Sequence, residues 1–425
     1  MSKFLKLIIL YVLGFFFIYE PGLNNNIIIF SIIFGTALLL ETLYCFVCYG
    51  KHYIKSVFNK MFIFFILGIT LANLYFAWRA FSTGNSPRFM QNYMVILQVF
   101  SLMNICYLLN VEFNFNKVQI CRFFLNIGII QSLIAILMLI IPSFHNVALT
   151  LYYASKPENI FISGVRIYGI SSDYTFFTPI FHGILAVLAF TLALEINFKY
   201  ISYIPFLLLV ILLNGRTGFL MFLIGCIVVG TLLSIKNINS LFKGVMVLIT
   251  VAVFGIAAVY IIYEDSPNTF NWLASGFQDL INFFNGQKTG NFATLSNMWL
   301  FPTGVNAIFG MGFRLYNNLH GFPRSDIGYV NDMFMGGVIY IAILYTTVYR
   351  VILYGLSNRK GISNRINWAL SISFVIILLF SNYKGEVMRS GLVLTIMFVI
   401  KYVLLFLSDE KENDNGKSIS GNEYI

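Results

Sequence analysis

The segment Asn214-Gly215-Arg216-Thr217-Gly218 sets a guanidinium between two glycines inside an apolar stretch that runs from Ile201 to Ile235. The apolar run ahead of it, Ile201–Leu213, gives roughly 20 Å of helix, too short for a hydrocarbon core of about 30 Å. The turn is therefore expected below one membrane surface, with Arg216 at the same depth. A cation there is costly unless it faces a polar cavity or an anion. Broken backbone at that depth is tolerated only where it lines such a cavity. A guanidinium fork matches a phosphate group in two parallel hydrogen bonds, so a lipid-linked phosphate is the ligand this pattern suggests. The plainer alternative is an arginine at an ordinary turn, snorkelling to the surface.

A second concentration of chemistry spans Gly310 to Gly337, GMGFRLYNNLHGFPRSDIGYVNDMFMGG. It places Arg314, His320, Arg324, Asp326 and Asp332 just ahead of an apolar helix. Glycines let backbone approach a ligand closely. Two guanidinium groups, one imidazole and two carboxylates could bind an anion and also accept a proton. His320 and Asp326 are both candidate bases, and spacing does not choose between them. Arg166 in an earlier loop, and Lys384 and Arg389 in a tight turn between the last two spans, could join the same phosphate site. For Lys384 and Arg389 a plain helix-end anchor is nearly as good a reading. The chain has no H-E-x-x-H, Walker A loop or G-x-G-x-x-G, and its outer loops have no Asp-x-Asp. Neither a metal nor a cofactor is expected.

The elements that must position these residues follow from composition. Of 425 residues, 59% are hydrophobic and 10% charged, with a mean hydropathy of +0.81. Soluble domains carry about 25% charged residues, so the solvent here is a bilayer. The net charge of +10 sits in short loops between apolar runs. Topology explains that placement, and nucleic acid is not an expected partner. Runs of spanning character are Phe4–Tyr19, Ile27–Tyr49, Met61–Trp78, Tyr93–Val111, Phe123–Ile141, Phe176–Ile196, Ile201–Leu213, Thr217–Ile235, Gly244–Tyr263, Val330–Tyr354, Trp368–Phe380 and Gly391–Leu407. Twelve spans put both termini on one side. Glu20, Pro21 and Gly22 do not form a small-x-small cleavage site, so the first helix is expected to stay uncleaved.

With the N-terminus inside, the inner segments hold 17 Lys plus Arg and the outer ones 10. That bias agrees with the positive-inside rule. The kind of base is more telling: 13 Lys and 4 Arg inside, against 3 Lys and 7 Arg outside. The outer arginines are Arg79, Arg88, Arg166, Arg216, Arg314, Arg324 and Arg389. Topology alone does not sort Arg from Lys, whereas phosphate recognition does. The expected architecture is an all-α polytopic membrane protein, a bundle over residues 1–407 with long outer loops at 142–175 and 264–329. A polar tail over 408–425 reads as disordered and cytoplasmic. The second loop carries Phe270, Trp272, Leu273, Phe277, Leu280, Ile281, Phe283, Phe284 and Trp299, a pattern for a short amphipathic helix at the interface and then a packed lid. The five cysteines, Cys45, Cys48, Cys106, Cys121 and Cys226, fall in helices or on the inner side, and no disulfide is expected.

At NGRTG and at GMGF…SDIGYVND…GG the chain resembles the Wzy-type O-antigen polymerase and O-antigen ligase superfamily of bacterial polysaccharide enzymes. The resemblance covers the topology of nearly the whole chain, but its motifs are short. It implies a GT-C-type glycosyltransferase that polymerises undecaprenyl-pyrophosphate-linked repeat units into O-antigen or capsular polysaccharide. Such an enzyme acts at the periplasmic face of the bacterial inner membrane, with both termini cytoplasmic, without metal and with inversion. Its partners are a lipid-linked glycan donor and acceptor, membrane lipid and a chain-length regulator protein. Arg216 matches the arginine of the family's R-T-G-like turn, and Arg314, His320, Arg324 and Asp326 lie in the matching loop. The chain departs from the pattern in places. An Arg followed eleven residues later by Gly is missing, because Arg166 leads to Phe177 and Arg314 to Ser325. A ligase-like His-Asn pair is missing too, since Gly321 follows His320. A ligase, or a lipid-linked oligosaccharide flippase, is the competing reading. A flippase would show two similar halves and short outer loops.

Overall fold

The computed structural model describes residues 2–20, 27–86, 90–153, 165–167, 169–171, 176–235, 238–315, 321–356, 361–389 and 391–408. These residues are all-helical, with no strand among them. Five helices come first: α1 (Lys3–Tyr19), α2 (Ile27–Val57), α3 (Lys60–Ser82), α4 (Met90–Val111) and α5 (Lys117–Ile140). After α6 (Pro142–Tyr153), three more follow: α7 (Phe177–Glu195), α8 (Tyr203–Asn214) and α9 (Arg216–Ser234). Next come α10 (Ile238–Asp265), α11 (Pro267–Phe284), α12 (Gly290–Asn297) and α13 (Val305–Phe309). The chain closes with α14 (Gly328–Ile352), α15 (Ile362–Ser381) and α16 (Gly391–Phe406). Among the described residues, nine helices are long and apolar enough to cross a bilayer. The protein is a polytopic membrane protein. Two shorter apolar helices, Phe198–Asn214 and Gly391–Phe406, stand beside them.

The bundle is ordered by how apolar each helix is around its circumference. α7 is apolar on every side and 94% of its spanning window is buried, so it is the central post. It packs against α8, α9, α15, α16 and α5. α10, with 18% buried, is peripheral and offers its side chains to lipid. Helix starts are set locally. Asn59 accepts a hydrogen bond from the Phe62 N–H at 3.0 Å, and Asn116 with Gln119 closes a reciprocal capping box at the head of α5.

Two breaks matter for function. The first separates α8 from α9. Gly215 is extended (φ −170°, ψ 123°), so α8 stops after 12 residues. The exposed end of α8 is covered from outside, because the Ile167 N–H donates to the Leu213 carbonyl at 3.0 Å. Gly218 then allows α9 to press onto α7: a Cβ there would sit 2.1 Å from the Pro179 carbonyl oxygen. Small residues bring membrane helices to backbone contact in this way. The glycine of the R-T-G turn thus fixes the depth and azimuth at which Arg216 emerges.

The second break lies inside α14, where Gly336 (φ −153°, ψ 15°) and Gly337 (φ 62°, ψ −161°) leave the helical region. The carbonyl of Phe334 is freed and accepts the N–H groups of Met311 (2.7 Å) and Gly312 (3.1 Å). Gly310 sits directly on Gly336, where a Cβ would meet backbone at 2.4 Å. Arg79 ties the same loop to α3, donating from Nε to the Gly310 carbonyl (2.9 Å) and from its guanidinium to Asn306 Oδ1 (3.1 Å). The segment after α13 therefore plugs into a broken helix.

The two stretches expected as long loops are partly helical. Residues 142–153 form α6, and 267–284 form α11, whose Phe277, Ile281 and Phe284 are exposed along one side. The expected disordered tail lies outside the described residues from 409 onward. All five cysteines are free thiols.

Candidate functional site

Arg216 is the first residue of α9 and is half-buried. Its guanidinium carbon lies 4.6 Å from the centre of the Trp272 ring. Arg166, on the loop that covers α8, lies 4.6 Å from the same ring. One indole thus holds two guanidinium groups through its π-face charge distribution. Trp272 belongs to α11, and the next turn of that face is Gly276. The Arg216 guanidinium runs so close over Gly276 that a Cβ there would fall 1.2 Å from its nitrogen. One turn further, Asp279 lies within electrostatic reach of Arg216. Asp279 is itself held by Thr289, whose hydroxyl donates to it at 3.2 Å.

Lys384 arrives from the turn between α15 and α16. That turn is pinned from two sides: the Gly328 N–H donates to the Asn382 carbonyl at 3.0 Å, and Gly385 lies flat against the Phe176 ring. Lys384 touches water at its own surface yet is surrounded by protein on most sides, as a residue in the wall of a recess must be. Burial, and then the guanidinium charges of Arg166 and Arg216, push its ammonium down to about 8, with Asp326 opposing. Three cations from separate segments therefore share one field. Asp326 is at its edge, paired with Arg324 at 3.0 Å, both about half exposed.

Among the described residues, neither Arg216 nor Lys384 forms an ion pair. The first turn of α9 has no side-chain cap, so its N–H groups and the positive end of its dipole add to the field. Asn214 precedes it, fully buried, with neither amide atom hydrogen-bonded among the described residues. A helix start without a side-chain cap, a buried amide and like charges held together make a field that favours an anion.

The remaining basic residues divide differently. Arg389 is 3% exposed and is flanked by Asp332 and Glu386, each at 3.0 Å. Arg314 pairs with Glu386. Tyr345 donates to Asp332 at 2.7 Å, and Asn382 donates to Tyr345 at 2.5 Å. Two arginines and two carboxylates cancel, and the network ties α14 to the turn that bears Lys384. Arg389 is expected from the sequence to be a phosphate ligand. That role does not fit, because its charge is matched and no face of it is open. It holds the turn in place instead. Arg314 is nearly a third exposed but is anchored to the same network. Arg79 spends its fork on the Gly310 loop. His320 and Arg88 lie outside the described residues.

The structure therefore brings together Arg166, Arg216, Lys384, Asp326 and Arg324, and sets Arg314 and Arg389 apart in a neutral framework. Trp272, Gly276, Asp279 and Asn214 escape sequence reasoning as site residues. The i, i+4, i+7 spacing of Trp272, Gly276 and Asp279 places them on one helical face, which is the signal that could have found them.

Fold and site together define a class: a polytopic helical membrane protein with a cluster of cations gathered against an amphipathic helix. No family model, curated protein or solved structure matches the chain.

Proposed function

We propose that the protein is a membrane glycosyltransferase of GT-C type, with twelve spans, that polymerises lipid-pyrophosphate-linked oligosaccharide units at the outer face of a bacterial inner membrane. The convergence of Arg166, Arg216 and Lys384 on one recess carries this reading. Pyrophosphate leaves readily once its growing charge is neutralised, and fixed cations do that without reorganising. In the reaction, the acceptor sugar hydroxyl forms a bond to the anomeric carbon of the donor glycan. The bond from that carbon to the pyrophosphate oxygen breaks, and the pyrophosphate leaves with the electron pair. The hydroxyl proton passes to Asp326, or to His320 as the alternative base, an assistance worth about 10²–10⁴-fold. One direct displacement inverts the anomeric centre. Arg324 orients Asp326 at 3.0 Å. The exposed Phe277, Ile281 and Phe284 of α11 suit contact with the lipid tail.

The test is a polymer-ladder assay on Arg216→Ala and Arg216→Lys. Loss of one such donor is expected to reduce turnover by about 10²–10³-fold, and Lys, without the fork, restores little of it. Full-length ladders from both variants at normal protein levels would refute the phosphate role. An O-antigen ligase uses the same donor chemistry. Cells lacking a polymerase make a one-repeat product, whereas cells lacking a ligase accumulate polymer on its lipid carrier.

A further inference from the structure

A second cavity lies away from the cationic recess, between α1, α2 and α4, with a volume of about 380 Å³. α1 and α2 both pack on α4. At one end they are clamped together by edge-on and tilted contacts of Phe16 and Phe17 with Phe30 and Phe34, at 5.0–6.2 Å. At the other end Lys6 pairs with Glu112 and donates to the Tyr44 hydroxyl at 3.0 Å. Between the aromatic clamp and this polar belt the walls are apolar, with Leu10, Leu13, Ala37 and Leu108 among them. The exception is Glu41, one turn of α2 from Tyr44. Glu41 is 6% exposed, and neither carboxyl oxygen has a hydrogen-bond partner among the described residues. The Asn104 amide is near enough to hydrogen-bond the carboxyl, although its N–H donates to Thr42 Oγ1 at 3.3 Å and its oxygen accepts from the Tyr53 hydroxyl at 2.8 Å. Leu40 and Ile9, on the rims, are open to the bilayer.

A carboxyl group in an apolar membrane cavity is expensive unless something pairs with it. Water does not fill the role, because an ordered water needs two to four polar partners and the walls here offer few. Another helix, about 10 Å across, does not fit this space. A plain hydrocarbon tail would cover the walls and leave Glu41 unpaired. A pocket of this size is within the range of small-ligand sites. We propose that the cavity binds a single-chain amphiphile from the bilayer, its apolar chain lying between α1 and α2 toward the aromatic clamp and a hydroxyl, amide or amine donor of its polar end meeting the Glu41 carboxyl. The Lys6–Tyr44–Glu112 belt closes the polar end and sets how deep the chain enters. The site is independent of the glycosyltransferase reading.

The experiment uses the full chain in nanodiscs with a photoreactive diazirine derivative of a long-chain alcohol, and adducts are mapped by peptide mass spectrometry. Labelling is expected on peptides of α1 and α2. Dodecanol should compete better than its methyl ether, which lacks the donor. One hydrogen bond to a buried partner is worth about a fivefold to hundredfold preference. Glu41→Leu should keep the labelling and erase the preference. Ala37→Phe, which fills the cavity, should abolish labelling in monodisperse protein. If that variant does not fold, the Glu41→Leu comparison decides alone. Adducts spread evenly over the lipid-facing helices, or equal competition by alcohol and ether on the wild-type chain, would overturn the proposal.

Discussion

Gly276→Ala is the most incisive perturbation of the recess, because it adds one methyl group and removes no charge. The added Cβ would lie 1.2 Å from a terminal nitrogen of Arg216 and 2.0 Å from the guanidinium carbon. Ordinary contact begins at 3.4 Å, so the guanidinium must shift by about 2 Å. It can do so, since the obstructing atoms are the far end of a flexible side chain. Two effects on stability oppose each other. Alanine in place of glycine favours α11 by about 1 kcal/mol, and loss of the Arg216–Trp272 stacking costs about 0.5–2 kcal/mol. The melting temperature should therefore barely move. Anion affinity should fall, because a displaced charge-assisted hydrogen bond forfeits about 1.5–3 kcal/mol, or roughly ten- to a hundredfold and somewhat beyond. Titration calorimetry with inorganic pyrophosphate reads the affinity directly, and glycan elongation by purified protein reads its consequence. A Gly276→Ala protein with unchanged melting, affinity and turnover would show that the position of Arg216 on Trp272 does not matter, and the recess would lose its assigned ligand.

Two further outcomes follow from the charges. Burial, then the charges of Arg166 and Arg216, push the Lys384 ammonium down from its ordinary 10.5 to about 8. Pyrophosphate affinity should therefore weaken as pH rises through about 8, with proton uptake on binding near that pH, and Lys384→Met should flatten this step. Between about pH 8 and 10.5 the unfolded chain holds a proton that the folded one has released, so stability contributed at this residue rises with pH across that window. Thermal melts of wild type and Lys384→Met over the window check the sign. Arg389 should behave in the opposite way to Arg216. Arg389→Ala leaves Asp332 buried without its cation and Glu386 with Arg314 alone, which costs about 3–5 kcal/mol, whereas Arg216→Ala should melt near the wild-type temperature. Equal melting of the two variants would contradict the division into framework and recess.

Much of the protein was legible in its residues. Apolar runs of membrane-crossing length and the shortness of the helix before Asn214 are local properties, and the bilayer turns them into helices and a break without reference to partners. The amphipathic helix at 267–284 was equally readable, since one side of it repeats Phe277, Ile281 and Phe284 at helical spacing. The role of each cation was not readable, because a guanidinium has the same chemistry in a salt bridge as on a phosphate. Arg389 and Arg216 look alike in one dimension. Folding gives the first two carboxylates from α14 and its own turn, and gives the second an indole from α11 with Asp279 only at longer range. Likewise only the packing of α9 on α7 shows the glycine of the R-T-G turn to be the point where two helices meet. Sequence alone decided the solvent, the helices and the break at Gly215, because those depend on hydropathy and short-range sterics, whereas the break at Gly336 and Gly337 inside the expected span Val330–Tyr354 came only with the structure. Tertiary structure decided which charges are neutralised and which remain, because Coulomb energy depends on distances between segments that the linear order does not contain.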